Sequence, residues 1–213
     1  MLENVPLLEG EPALNTYVKQ LESEEHGYSI LSKVVQYSCH GAPTKRHRFI
    51  LFGTRVGRAL DFFDKLKKFE SEPKTVKDAI WELREKQKNE VVDHVWPELK
   101  TIDKYVDKYK NQKFGWYILD WNRPAPSFGN IMKTYILHPN AFEGGVKRVI
   151  SVKEAALIMG FDDDFRFPEG TGLGNRYQMI ADSVSPMFSY TAAKIIRKEV
   201  CGCARNSLRC KPN

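Results

Sequence analysis

The 213-residue sequence is 42% hydrophobic, 28% charged and 12% aromatic, which suits one folded domain with a small lobe and excludes global disorder. It has no run of about 18 apolar residues that could cross a membrane, and its acidic start lacks the basic region of a secretory signal. Its four cysteines do not make a disulfide scaffold. A cytoplasmic or DNA-associated protein is therefore expected.

Positive charge is concentrated in two segments, although the formal net charge is only +6. Residues 45–60 hold five Lys or Arg and no acid, and residues 191–213 hold six against one Glu. Clustered charge of this kind suits a phosphate backbone. Solvated surface side chains are the alternative interpretation.

The first quarter of the chain is predicted to form a helix and a strand–turn–strand unit. Apolar spacing indicates a helix over residues 13–25. Residues 28–37 indicate β structure, in one strand or two, and residues 48–52 indicate another strand closed by Gly53. The segment between them has the composition of a turn.

The turn between these strands carries much of the basic charge. It is predicted to project Lys45, Arg46 and Arg48 from one edge, with Arg46 and Arg48 on the same face. An exposed charged strand edge that resists aggregation is the plain structural interpretation.

The middle of the chain is expected to be less regular. Residues 54–113 look mostly helical, with a helix start at Thr75–Asp78. Asp93-His94 and Trp96-Pro97 break the helical pattern. Residues 114–140 are rich in Gly, Pro, Asn and aromatic residues, so they are predicted to be irregular or β. Their tryptophans and tyrosines are expected to lie in the core.

The last third is predicted to be helical. Ser151–Glu154 forms a capping box for a helix that Gly160 ends, and a loop follows. Residues 176–198 form either one helix or a turn with a helix after Pro186. The tail, residues 199–213, lacks an apolar period and is expected to be mobile.

Six segments in a fixed order carry short motifs: Glu3–Pro6 (Glu-Asn-Val-Pro), Gly27–Tyr28, Gly41–Arg48 (Gly-Ala-Pro-Thr-Lys-Arg-His-Arg), Trp121–Pro126 with His138–Pro139, Arg148–Phe161 and Tyr177–Pro186. Each motif alone is weak, but in this order they resemble the C-terminal half of a cytosine-5 DNA methyltransferase. In that family the third segment reads Gly-Val-Pro-Gln-x-Arg-x-Arg. The resemblance covers the chain except residues 54–115 and the tail.

The resemblance implies an α/β fold, the C-terminal part of a Rossmann-like methyltransferase sheet with a small, mostly helical or irregular target-recognition lobe. It assigns residues 1–55 to the catalytic domain and residues 56–145 to the lobe. Residues 146–198 would be helices that return to the catalytic domain, and residues 199–213 a basic tail.

The resemblance also implies a reaction and the residues that serve it. The reaction is methyl transfer from S-adenosylmethionine to a flipped cytosine in double-stranded DNA, as in restriction–modification systems. Glu3 would be the acid at the pyrimidine N3, and Arg48 would hold the carbonyl O2. The residues implied to contact the cofactor are Asp182, Ser183 and Val184. Those implied to contact DNA are Lys45, Arg46, Arg123 and Arg176. No metal is expected, since Cys201, Cys203 and Cys210 lack a fourth ligand at zinc spacing.

Two departures and one absence qualify this assignment. Thr44 stands where the family signature has Gln, and Ala181–Asp182 stands where the last motif has Gly-Asn. No cysteine follows a proline, and no Gly-rich cofactor loop occurs, so the family's nucleophile is absent from these residues. The chain is therefore not expected to act alone.

Three interpretations of that absence remain open. The chain is a subunit completed by a partner polypeptide, a truncated enzyme, or a catalytically dead remnant that binds DNA. The first two predict an exposed apolar sheet edge near Val34, Ile50 and Phe52. Without the resemblance, Glu3 would be read as a frayed terminal acid.

Overall fold

A small antiparallel sheet and eight helices form the fold in the computed structural model, which describes residues 1–111, 115–142 and 144–209. The strands are β1 (Leu2–Asn4), β2 (Ser29–Gln36) and β3 (His47–Thr54). The helices are α1 (Pro12–Glu22), α2 (Ala59–Lys67), α3 (Val76–Ile80), α4 (Val106–Lys110), α5 (Ile131–Thr134), α6 (Val152–Met159), α7 (Leu173–Asp182) and α8 (Pro186–Arg209). Short 3₁₀ turns cover Pro6–Leu8, Tyr37–His40, Trp81–Leu83, Asp103–Tyr105 and Pro139–Phe142.

The sheet has the order β1-β3-β2, with both pairs antiparallel. The residues from Ser29 to Gln36 form one continuous strand, which decides between the one-strand and two-strand predictions. Strand β3 also runs through Gly53 rather than ending before it. The alpha-beta fold class predicted from the resemblance is confirmed.

The central position of β3 overturns the predicted apolar edge. Ile50 and Phe52 are buried because β3 has a neighbour on each side and α2 covers it, with the ring of Phe62 stacked 4.3 Å from that of Phe52. Val34, on the edge strand β2, is 39% exposed. Of the three residues predicted to form an exposed edge, only Val34 is exposed.

Residues 54–113 are less helical than their apolar spacing predicts. The helix start at Thr75 is confirmed, because Thr75 and Asp78 form a reciprocal capping box. Beyond the turn at Trp81–Leu83 the chain is irregular as far as Asp103. Asn89 and Asp93 adopt left-handed backbone angles (φ 68° and 63°), and such residues interrupt a helix.

The helices of the last third follow the sequence closely. At the start of α6 the Ser151 side chain accepts from the backbone N–H of Glu154, and the Glu154 side chain accepts from the backbone N–H of Ser151. Gly160 ends that helix with a φ of 92°. Neither alternative for residues 176–198 is fully correct, because α7 (Leu173–Asp182) occupies the place of the predicted turn and ends before a separate helix. The predicted helix start near Pro186 is confirmed, since α8 begins at that residue. Helix α8 continues to Arg209, well into the predicted tail, and residues 210–213 lie outside the described residues.

One hydrophobic cluster joins the sheet, the middle of the chain and the C-terminal helices. Its fully buried members include Ile50 of β3, Ile80 of α3, Ile136, Ile150 and Phe188 of α8. The domain boundaries implied by the resemblance stay predictions. In the described ranges, no helix combines the length and the apolar character needed to cross a bilayer.

Replacing Gly160 with Ala is expected to destabilise the fold by about 1–3 kcal/mol. A side chain is strained at its left-handed φ, and the new Cβ would meet Met187 Cγ and Ser185 Oγ at 3.1 Å. Gly174→Ala is the matched control, because nothing lies within 4 Å of its Cβ position inside α7. There alanine should stabilise by up to about 1 kcal/mol. Urea unfolding of both variants checks the opposite signs, and equal effects would contradict the argument.

Candidate functional site

The two residues predicted to be catalytic lie in contact across β1 and β3. Glu3 is the register partner of Ile50, so Arg48, two residues before Ile50, projects from the same face of the sheet. The Nε of Arg48 lies 2.9 Å from Oε1 of Glu3, and the two side chains are only 12% and 20% exposed. Strand pairing thus places a carboxyl group and a guanidinium together in a partly desolvated position.

Tyr37 is a third member of this site, and sequence reasoning missed it. Its hydroxyl donates a hydrogen bond to Oε1 of Glu3 at 3.1 Å. Burial, with a further contribution from the neighbouring Glu3 carboxylate, raises the pKa of Tyr37 well above its usual value of 10. The phenol therefore stays protonated. In the sequence, the position of Tyr37 directly after β2 is only a weak signal for a role in the site, because it does not show where the ring points.

Arg46 is buried rather than projecting from a strand edge, which corrects the prediction that it shares an exposed edge with Lys45 and Arg48. Its guanidinium donates to the carbonyl of Phe128 at 3.2 Å and to the carbonyl of Ala181. It is 3% exposed. Arg46 therefore ties the segment before β3 to the end of α7, and this placement leaves its guanidinium away from any phosphate at the surface.

Two of the motif segments pair directly with each other. The backbone N–H of Lys45 donates to the carbonyl of Ala125 at 2.8 Å, and the N–H of Ala125 donates to the carbonyl of Pro43 at 2.9 Å. Thr44, between them, is fully buried, with its hydroxyl 3.5 Å from the carbonyl of Pro126. The Thr that replaces the family's Gln therefore packs inward at this junction.

The residues implied to contact the cofactor lie at the end of α7. Asp182 is exposed, and both of its carboxylate oxygens accept from the Gln178 amide at 2.9 Å. The Ser183 hydroxyl donates to the carbonyl of Ile180, and Val184 is half-buried. A cavity of about 430 Å³ opens beside Asp182 and Gln178. The polar groups of Gln178 and Asp182 that border this cavity are hydrogen-bonded to each other.

The remaining basic residues differ in how available they are. Lys45 is exposed, and the Arg123 side chain is 76% exposed with its Nε 3.4 Å from Asp120. Both lie beside the paired motif segments. Arg176 instead holds Asp93 in an ion pair at 2.6 Å and also donates to the carbonyl of Thr171. Its guanidinium is thus engaged within the fold.

A buried ion pair organises the segment that leads into α6. Arg148 donates two hydrogen bonds to the Glu154 carboxylate, at 2.6 and 2.7 Å, and both side chains are almost fully buried. Burial alone would raise the pKa of Glu154, but the Arg148 hydrogen bonds and charge hold it below its usual value. His138 lies beside them, 3.7 Å from Glu154. The Arg and Glu of this motif are therefore structural partners.

Acid is expected to destabilise the fold through His138. Its burial lowers its pKa from 6.5 to about 4, so between those values the unfolded chain binds a proton that the folded chain excludes. Stability is complete above about pH 6.5 and falls as pH drops toward 4, by on the order of 3 kcal/mol. Urea unfolding at several pH values checks this. His138→Asn should flatten the slope, and an unchanged slope would contradict the assignment.

The histidines and cysteines do not form a metal site in the described part of the chain. His94, like His138, is buried, and it lies between the Ser151 hydroxyl and the carbonyl of Lys86. Both histidines serve the packing of the fold. The C-terminal cysteines Cys201, Cys203 and Cys210 lie outside the residues whose side chains are described.

Comparison with protein families gives a match over nearly all of the described chain. The model of the family described as C-5 cytosine-specific DNA methylase matches residues 1–198. The protein named M.MJ0563P from Methanocaldococcus jannaschii is 27% identical over 205 residues, covering 94% of this chain and 60% of its own length. The type II methyltransferase M.FnuDI from Fusobacterium nucleatum is 26% identical, covering 83% of this chain and 57% of its own length. The chain thus spans about 60% of the length of these relatives.

Solved structures share the fold at low sequence identity. The methyltransferase EhMeth of Entamoeba histolytica superposes with a TM-score of 0.67 at 15% identity, covering 93% of this chain and 62% of that one. The Dnmt2 methyltransferase of S. pombe gives 0.64 at 16% identity, covering 94% and 66%. At this identity the likeness concerns the fold.

Proposed function

The chain belongs to the C-5 cytosine-specific DNA methylase family, and we propose that it supplies one wall of a site that methylates cytosine in duplex DNA. The observation that carries the proposal is the contact between Glu3 and Arg48. Both residues match family positions, and the fold brings them together on one face. The proposal extends to S-adenosylmethionine as methyl donor and to double-stranded DNA as substrate.

The chemistry explains why an acid and a cation belong together here. Carbon 5 of cytosine becomes nucleophilic only after a thiolate adds to carbon 6, a form of covalent catalysis. The addition places negative charge on N3 and O2 of the ring. A carboxylic acid can donate its proton to N3, and a guanidinium can hold O2 without losing its own charge. We assign these roles to Glu3 and Arg48.

The target base must leave the duplex to reach such a site. Lys45 and Arg123 are the basic residues best placed to hold the DNA backbone, because both are exposed beside the paired motif segments. Arg46 and Arg176 serve DNA binding indirectly in this proposal. Their guanidiniums fix the elements that carry the exposed residues.

The residues at the end of α7 fit one side of a nucleoside ligand. The exposed Asp182 carboxylate borders a cavity with Asn175 and Gln178, and carboxylate and amide groups suit ribose hydroxyls. Asp182, Ser183 and Val184 would thus hold S-adenosylmethionine from this side. The cofactor, when bound, supplies the methyl group.

The nucleophile must come from outside these 213 residues, because none of them forms a Pro-Cys pair. A preceding part of the same polypeptide or a separate partner polypeptide could carry it together with the Gly-rich loop. Either source would complete the same site, so the proposal does not depend on which one applies.

Transfer of a labelled methyl group from S-adenosylmethionine to duplex DNA tests this function. The 213 residues are assayed alone and together with the product of the coding sequence upstream, fused or expressed separately. We expect incorporation only in the combination. Incorporation by the 213 residues alone would contradict the missing nucleophile. DNA binding without incorporation in either arm would favour the catalytically dead remnant.

A further inference from the structure

We infer that Tyr37 is a positioning residue that fixes which oxygen of the Glu3 carboxyl group faces the substrate. The inference rests on the proposed function, because it matters to catalysis only if Glu3 is the acid. The motif resemblance assigns no role to this tyrosine. The geometry points to this role because Tyr37 donates a hydrogen bond to Glu3 while its ring and backbone are held by other parts of the fold.

Glu3 needs such support because its own strand offers little. Strand β1 is three residues long and has no buried residue, so its backbone alone leaves the side chain free to rotate. Arg48 forms an ion pair with Oε1, its Nε 2.9 Å away, and Tyr37 donates a hydrogen bond to the same oxygen at 3.1 Å from another part of the fold. A guanidinium and a hydrogen-bond donor at one oxygen restrict the orientation of the carboxyl group.

The convergence of both contacts on Oε1 gives the two carboxyl oxygens different surroundings. The Glu3 side chain keeps 20% of its surface accessible. An oxygen that faces a guanidinium and accepts from a phenol is a poor site for a proton. In this inference the proton of a protonated Glu3 is therefore placed on Oε2, from which it is passed to the base.

Tyr37 can act in this way because it is itself held rigidly. The side chain is 0% exposed, and its ring stacks on Phe188 of α8 at 5.3 Å. Its backbone N–H donates to the carbonyl of Arg46 at 2.9 Å. Removing the hydroxyl leaves the stacking and the bond to Arg46 in place. It removes the contact with Glu3 and also an acceptor for the backbone N–H of Ser185, so a comparison with Glu3→Gln is needed to isolate the contact with Glu3.

The first test uses the 213-residue chain and needs no activity. A buried hydroxyl bonded to a carboxylate exchanges slowly with water and gives its own downfield proton resonance in NMR spectra. We expect one that disappears in Tyr37→Phe, moves upfield in Glu3→Gln and persists in Tyr177→Phe. Tyr177 is the matched control, because its buried hydroxyl donates to the carbonyl of Ile150 at 2.8 Å. A resonance insensitive to Glu3→Gln would overturn the contact.

The second test measures methyl transfer in the completed enzyme. Tyr37→Phe should lower kcat roughly ten- to hundredfold, as for loss of a hydrogen bond to a charged group, with little change in KM for DNA. In a Glu3→Gln background the same change should have almost no further effect, because Tyr37 acts through Glu3. Equal losses in both backgrounds would overturn the positioning role. If the completed enzyme transfers no methyl group, the proposed function fails, and the NMR result still decides the contact.

Discussion

Glu3→Gln is expected to lower the rate of methyl transfer about 10²–10⁴-fold in the completed enzyme, while changing DNA affinity by less than about twofold. Glutamine keeps an oxygen that can accept from Tyr37 and remain in contact with Arg48, so the site should keep its shape. The glutamine amide cannot transfer a proton to N3 as a carboxylic acid can. The negative charge that develops on the ring during thiolate addition therefore stays uncompensated. Single-turnover kinetics and a DNA-binding titration on the same preparation measure the two effects.

The matched control for this prediction is Glu9→Gln. Glu9 is exposed and lies in the same N-terminal segment. Glu9→Gln therefore removes the same charge but leaves the ion pair between Arg48 and Glu3 in place. Its rate should equal that of the unmodified protein. A completed enzyme that keeps its full rate with Glu3→Gln would remove the acid from the mechanism. A parallel loss of DNA binding would instead show that Glu3 supports the fold or the interface.

Glu154→Gln is expected to reduce the free energy of unfolding by about 3–5 kcal/mol. The substitution preserves volume but leaves the Arg148 guanidinium buried without its counter-charge, because both Glu154 oxygens now accept from it. The loss also weakens the start of α6, where Glu154 accepts from the Ser151 N–H at 2.7 Å. Urea unfolding followed by circular dichroism measures the effect.

A surface ion pair provides the control for Glu154. Lys147 and Asp103 are also in contact at 2.6 Å, but their side chains are 50% and 71% exposed. Asp103→Asn should therefore cost less than about 1 kcal/mol, because water compensates the lost charge. Similar losses in the two variants would show that burial does not set the strength of the Arg148–Glu154 pair.

The parts of the fold predicted from sequence are those determined by neighbours along the chain. The capping box at Ser151 and the stop at Gly160 depend on residues within one helix, and both are confirmed. The strand after the Arg-rich turn is indicated by a short apolar run, which is also a local feature, and it is found. The contact between Glu3 and Arg48 joins distant segments, and the motif resemblance, rather than periodicity, pointed to it.

The parts that sequence missed depend on packing between distant segments. Arg46 looks like a surface cation, but it is buried because its two terminal nitrogens donate to the carbonyls of Phe128 and Ala181, which lie in remote segments. Ile50 and Phe52 looked like an open edge because pairing of β3 with both β1 and β2 is not visible in the sequence. The break in the helical pattern at Asp93-His94 and Trp96-Pro97 is visible in the sequence, but the ion pair between Asp93 and Arg176, which joins distant segments, is not.

The most direct measurement of the central claim is covalent trapping on duplex DNA in which 5-fluorocytosine replaces cytosine. With S-adenosylmethionine present, methyl transfer follows thiolate addition, and fluorine in place of the carbon-5 proton then blocks the final elimination. The thiolate adduct at carbon 6 therefore accumulates, and mass spectrometry identifies the cysteine. We expect an adduct only when the 213 residues are combined with the segment that carries the Pro-Cys motif, and only on that segment's cysteine. An adduct on Cys39, which is half-buried, or on any other cysteine of these 213 residues, would contradict the account.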